Sequence, residues 1–233
     1  MANNYYNLSA SQFIDYLGFN KYIKGTSGYT KRNTKLNSDI SRVPLEVNPH
    51  VIPYAEYGKN KEISALKSYA DFRGFKGKDF NFILDNQKSF EFHNWTQDLG
   101  KPLPLSNSFV SISATPDFLC DDFSTIGECK AGGMGKGYTL DQIIQKYTPQ
   151  IYGQQLVLKM LNYPIKKTHF VNWAENFVQV YEILISFEYS VYLVEHLKSY
   201  SEHLILEKEF TEKIKNFDVD KDKFKLILEK EHE

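Results

Sequence analysis

The chain predicts an α/β fold, a mixed β-sheet flanked by helices, and three observations carry that expectation. Short stretches that alternate apolar and polar residues recur between turn residues, as at 80–84, 90–92 and 125–130. Longer stretches with apolar residues three and four apart lie among them, as at 56–73 and 189–203. At 233 residues and 42% hydrophobic, the chain can bury a full core, which suits one domain over 1–233.

Taken in order, Ser9 with Gln12 three residues on has the form of a capping box. Phe13, Ile14 and Leu17 give the short helix after it an apolar side, and Gly18 is placed to end it. Residues 19–42 are rich in Gly, Ser and Asn and read as a loop. It is basic, with Lys21, Lys24, Lys31, Arg32, Lys35 and Arg42 against Asp39 alone. With Tyr22 and Tyr29 interleaved, that loop suits either contact with a phosphate backbone or plain solvation. Residues 43–53, punctuated by proline, predict extended chain. A helix follows over 56–73, ended by Gly74, with Ile63, Leu66 and Ala70 as its apolar stripe. Residues 80–84 and 90–92, around Asp85-Asn86-Gln87, predict a hairpin.

The chemistry concentrates in residues 111–155. Residues 111–120 alternate and reach Pro116-Asp117, which favours a strand end and a turn. Residues 121–124 then read as a hairpin connection and 125–130 as the returning strand. Glu128 and Lys130 are two apart and share a face of that strand, and pairing brings Asp117 near it. Two carboxylates beside a lysine suit a hard divalent cation and a water held for attack, which is chemistry for cutting a phosphodiester. Glu62, near the start of its helix, also suits the helix dipole. The glycine-rich run 131–137 lacks the spacing of a phosphate-binding loop, since Gly137 and not Ser or Thr follows Lys136; it reads as a flexible lid.

Beyond it, Thr139 and Gln142 open a short helix. Pro149 is expected to break it, with Thr148 capping a second helix. Gln150 and Gln154, four apart on that second helix, reach one spot. Strands at 168–173 and 178–187 close the sheet, and a helix over 189–203 carries a Val191, Val194, Leu197 stripe. The charged tail 207–233 has apolar beats at Phe210, Ile214, Phe217, Phe224 and Leu228, which fit a docked helix or a contact with another subunit.

Pro116-Asp117 followed by Glu128-Cys129-Lys130 matches the PD-(D/E)xK nuclease signature. More closely, Ala114-Thr115-Pro116-Asp117, Gly127-Glu128-Cys129-Lys130 and Tyr147-Thr148-Pro149-Gln150 resemble, in order, the three motifs of the phage λ-exonuclease/YqaJ-type recombination nucleases. Residues 8–18 resemble that family's opening helix and 57–62 its glutamate-bearing helix, so the resemblance covers most of the chain. It implies a restriction-endonuclease-like core in which Asp117, Glu128 and the Cys129 backbone carbonyl hold Mg²⁺ or Mn²⁺. Lys130 would position the attacking water, and Gln150 and Glu62 would complete the catalytic set. Ser11 and Thr115 match hydroxyls of the family's 5′-phosphate pocket, although Ser9 and Ser11 suit a plain helix cap equally well. Tyr147 and Gln154 are further DNA-contact candidates or plain surface residues, and Lys31 and Arg32 are the loop's candidates for phosphate. Residues 1–8 hold no Arg or Lys where the family carries an arginine, which implies only a modest preference for phosphorylated 5′ ends.

The substrate so implied is linear double-stranded DNA, resected 5′→3′ for single-strand annealing. A ring-shaped homo-oligomer such as a trimer, a single-strand annealing protein as partner, and a phage or mobile-element origin follow from the same resemblance. Two other readings stay open: an endonuclease of restriction type, and a catalytically silent DNA-binding module on the same fold.

Composition bounds these expectations. Lys and Arg number 28 and Asp and Glu 29, so any DNA surface is local and not global. Cys120 and Cys129 are too few for a disulfide framework or a four-cysteine cluster. The six histidines show no metal-ligand spacing and read as structural. The first residues carry no basic and apolar leader pattern, and no apolar run reaches membrane-spanning length. The expected setting is intracellular and cytoplasmic, away from membranes.

Overall fold

A computed structural model describes residues 5–24, 27–46, 49–77, 88–93, 95, 109–120, 123–132 and 135–232. Five α-helices are formed among these: α1 (Phe13–Tyr16), α2 (Gly28–Ser41), α3 (Ile52–Phe72), α4 (Leu140–Met160) and α5 (Phe187–Leu206). Two mixed sheets complete the α/β architecture. In the first, β1 (Tyr5–Ser9) runs parallel and β2 (Phe90–Phe92) antiparallel to a central β3 (Phe109–Ala114). The second has the order β4 (Phe118–Leu119), β5 (Thr125–Ala131), β6 (Lys167–Trp173), β7 (Phe177–Ile183) and β8 (Phe224–Glu231). Its one parallel pair, β5 with β6, needs a long crossover, and α4 supplies it.

The alternation of β5 divides its side chains between two layers. Cys129 and Ala131 join Val171, Trp173, Val178 and Val180 in a core closed by Ala65, Leu66 and Tyr69 of α3. Ile126, Phe170, Tyr181 and Ile183 belong to the larger core, with Ile151, Tyr152 and Leu158 of α4 and Leu193 and Leu197 of α5. No helix among the described residues is long and apolar enough to cross a membrane.

Several expectations change. The basic segment is a helix and not a loop: Ser27 and Thr30 form a capping box that opens α2. Its buried face consists of Arg32, Lys35 and Leu36, so two cations stand where an apolar stripe would advertise a helix. Ser9 closes β1 and makes no side-chain cap, its hydroxyl pairing instead with that of Ser11 at 3.0 Å. Gly18 ends α1 as expected, in the left-handed region at φ 77°. Helix α3 begins before Pro53, and Ala65, Leu66, Tyr69 and Ala70 are its buried face while Ile63 is exposed.

Pro149 lies inside the continuous helix α4. An internal proline costs about 3 kcal/mol, but buried residues on both sides of it, from Ile143 to Leu158, hold the two halves to one core. Thr148 Oγ1 donates to the Ile144 carbonyl at 2.6 Å in the same turn. Strand β7 stops at Ile183, and Phe187 opens α5. The buried face of α5 is Tyr189, Leu193, Leu197, Tyr200 and Leu204, which leaves Val191 on the solvent side. The tail is neither helix nor free: Phe210 and Phe224 are buried, and β8 pairs with β7 at the sheet edge. The 80–84 half of the expected hairpin lies outside the described residues, while its 90–92 half is β2.

Residues 109–120 divide between sheets: β3 belongs to the three-stranded one, and the chain passes through Thr115 and Pro116 into β4, which pairs with β5. That pairing is tight at Gly127, where a Cβ would collide with the Phe118 ring and stand 2.6 Å from the His169 carbonyl oxygen. Gly127→Ala is expected to cost about 1–3 kcal/mol, read as a lower urea midpoint with an unchanged slope. A midpoint equal to the wild type's would mean that the hairpin is looser than described.

Candidate active site

The β4–β5 hairpin sets the first carboxylate. Asp117 donates its N–H to the Gly127 carbonyl at 3.0 Å, and its Oδ2 accepts the Cys129 N–H at 2.7 Å. The side chain is thus pinned by backbone at the mouth of the hairpin. From α3, Glu62 approaches the Asp117 carboxyl and helps to raise it.

The second carboxylate is deeper. Glu128 is 1% exposed and faces α4. Its Oε1 accepts Gln150 Nε2 and its Oε2 accepts Gln154 Nε2, each at 2.5 Å. Lys130 also donates to Glu128 Oε1, and its Nζ stands 3.8 Å from Asp117 Oδ2. The ammonium therefore lies between the two acids, with the Tyr147 ring centroid 5.9 Å away. A cavity of about 340 Å³ opens on this cluster, lined among others by Tyr54, Lys59, Glu62, Asp117, Lys130 and Tyr147.

Electrostatics follow from burial. Desolvation raises the Glu128 carboxyl to about 7, with Asp117 adding repulsion and Lys130 and Gln154 opposing it. Asp117 is raised for the same first reason, with the Glu62 carboxyl as a further cause and Lys130 opposing. Burial pulls the Lys130 ammonium down, but Glu128 and Asp117 outweigh it and hold it well above its ordinary value. Lys130 is therefore charged at every working pH.

The structure gathers Glu62, Asp117, Glu128, Lys130, Gln150, Gln154 and Tyr147 at one place. Cys129 contributes backbone there, while its thiol is buried in the core under α3. Thr115 is adjacent through its carbonyl, which Gln154 Nε2 approaches to 3.5 Å, and its side chain is exposed. Ser11 lies in the 3₁₀ turn Ala10–Gln12, which packs on α4. Lys31 is half-buried on α2. Arg32 is buried, and its Nε donates to the Tyr16 carbonyl at 2.7 Å. Tyr54, Lys59 and Tyr138 line the cavity and were not foreseen. Lys59 precedes Glu62 by one helical step, a signal that a helix begun at Ile52 makes readable. The histidines stay structural where burial shows it, as at His169, whose Nδ1 meets the Tyr69 hydroxyl at 2.8 Å.

Among the described residues no group of three or more His, Cys, Asp and Glu side chains is arranged to hold a metal ion. A hard divalent cation fits the donor chemistry nonetheless, because Mg²⁺ takes one or two carboxylates and keeps several waters. Asp117 and Glu128 are such a pair, and the buried Oε1 of Gln154 beside them has no hydrogen-bond partner. No protein-family model matches the chain, and no curated protein matches it.

The raised carboxyl has a thermodynamic consequence. Between the ordinary Glu value of 4.5 and about 7, the folded chain keeps a proton on Glu128 that the unfolded chain has lost. This contribution is complete below the ordinary value and disappears as pH rises through about 7. In EDTA the wild type is therefore expected to lose on the order of 3 kcal/mol of stability between pH 5 and pH 8 through this group. Glu128→Gln should lack that part of the fall. An equal fall in melting temperature in both proteins would place Glu128 in water.

Proposed function

We propose that the chain is a metal-dependent deoxyribonuclease built on a PD-(D/E)xK restriction-endonuclease-like core, acting as an exonuclease on linear double-stranded DNA. The observation that carries the reading is the linked cluster of Asp117, Glu128, Lys130 and Gln150, of which Asp117 and Lys130 line one cavity with Glu62. That set joins an acid at the turn, an acid and a lysine two apart on the returning strand, and a glutamine from the crossover helix. Asp117, Glu128 and the Cys129 carbonyl would hold Mg²⁺ or Mn²⁺, which when bound supplies an acidified water and offsets charge on the phosphoryl oxygens.

The chain's own residues do the remainder. Lys130, fixed by Glu128 and charged throughout, orients the water and stabilises charge developing on the phosphorus centre. Gln150 and Gln154 hold the Glu128 carboxylate in one orientation beside Lys130. Lys59 adds a second cation at the rim for a flanking phosphate. Resection from 5′ to 3′, assembly into a ring, cooperation with a single-strand annealing protein and a cytoplasmic setting of phage or mobile-element origin complete the proposal; these rest on the sequence resemblance.

Digestion of one linear and one circular duplex, each with Mg²⁺ and with EDTA, tests the reading directly. Linear DNA should be degraded only with the metal. Cleavage that persists in chelator removes the proposed chemistry, and cleavage of the circle replaces an exonuclease with an endonuclease.

Lys130→Ala is expected to slow cleavage by roughly 10²–10³. Its DNA affinity should change little, because one phosphate contact is a small part of the total. A wild-type rate in this variant would put the reaction elsewhere.

A further inference from the structure

A second site stands apart from the cluster around Glu128, and its centre is Arg32. Arg32 is 3% exposed as a residue and forms no ion pair with a carboxylate among the described residues. Its surroundings are aromatic: the Phe210 ring centroid is 3.6 Å from the guanidinium carbon and that of Tyr200 6.0 Å. Besides the bond to Tyr16, Nη2 donates to the His196 carbonyl at 3.4 Å. A guanidinium carries five N–H groups, so three are left without an acceptor among the described residues. Buried charges are ordinarily paired, because desolvation is costly. Stacking on Phe210 offsets part of that cost, but it takes up none of the three N–H groups.

The same side chain lines a cavity of about 300 Å³ between α2, α5 and the segment that leaves α5. Its other donors are Ser199, His203, Lys208, Thr211 and Lys213. The Nδ1 of His203 is bonded to the Lys208 carbonyl at 2.5 Å and so must carry a proton. Two carboxylates, Glu209 and Glu212, lie at the rim; both are exposed, and Glu209 accepts the Asn37 amide at 3.2 Å. The floor is thus a buried planar cation, and the walls carry hydroxyls and two flexible ammonium groups. Such a set suits a tetrahedral oxyanion with several acceptor oxygens better than a single carboxylate, which would leave the lysines unmet.

We propose that this cavity binds a phosphoryl group, with Arg32 as its buried anchor and Lys208 and Lys213 closing on it from the rim. The phosphoryl group belongs either to free phosphate or a nucleotide, or to a nucleic-acid backbone. The proposal uses none of the residues assigned to phosphodiester cleavage and stands whether or not that reading holds.

Thermal melting and titration calorimetry with inorganic phosphate, against chloride at equal ionic strength, test it. Phosphate should raise the melting temperature saturably where chloride does not, and the rise should persist in Lys130→Ala, which separates this cavity from the other. Lys208→Ala and Lys213→Ala alter exposed side chains and should leave the fold intact while weakening phosphate by about two- to fivefold each. Arg32→Gln should abolish the effect. Should that variant fail to fold, the lysine pair and Ser199→Ala decide alone. A short DNA duplex titrated in EDTA identifies the source. Weakening in the lysine variants assigns the site to backbone phosphate, and unchanged duplex binding beside weakened phosphate assigns it to a free phosphate or nucleotide. A wild-type shift no larger than chloride's, or one undiminished in the double lysine variant, overturns the proposal.

Discussion

The buried carboxylate of Glu128 is the constraint on which the rest depends. A carboxylate in a protein interior is tolerated only when donors replace the water it has lost. Here they come from Lys130 on its own strand and from Gln150 and Gln154 on α4. Strand and helix must therefore keep one register, and the elements around α4 are built to keep it. Gly153 leaves room for the turn before α1, since a Cβ there would come within 2.5 Å of the Phe13 ring. Pro149 removes one internal hydrogen bond between the two halves of α4, yet burial keeps the halves in line. The two glutamines, four residues apart just beyond that proline, reach the two oxygens of one carboxylate.

Asp117 is held by different means, and the contrast matters for chemistry. Its oxygen is fixed by the Cys129 N–H, a donor that the hairpin itself positions, while Glu62 approaches from α3. The site is thus assembled from both faces of the five-stranded sheet around one strand, β5. Burial chiefly raises the two central carboxyls, the neighbouring acids add to it, and both carboxyls hold the Lys130 ammonium charged. The structural cations behave differently. Lys35 pairs with Asp39, which also accepts the Tyr200 hydroxyl at 2.9 Å, and Arg32 stacks on Phe210. Basic residues that look like a DNA-facing run in the sequence are in part the interior of the α2–α5 contact.

The α/β class, the β4–β5 hairpin, strands β6 and β7 and the caps at Thr139 and Gly18 were determined by local sequence, because alternation, turn chemistry and capping act over a few residues. The meeting of Asp117, Glu128 and Lys130 was legible too, since the two-residue strand period fixes which side chains share a face, whereas Gln150 was placed with them by the motif resemblance. Tertiary structure alone decided the rest. It kept α4 continuous through Pro149, and it made a helix of 28–41 by burying Arg32 and Lys35 where hydropathy shows no stripe. It also drew the charged tail into β8, because the open edge of β7 offered backbone partners that no periodicity in the tail announces. Local pattern specifies which face a side chain takes; only packing decides what that face meets, and a buried charge becomes visible only when its partners do.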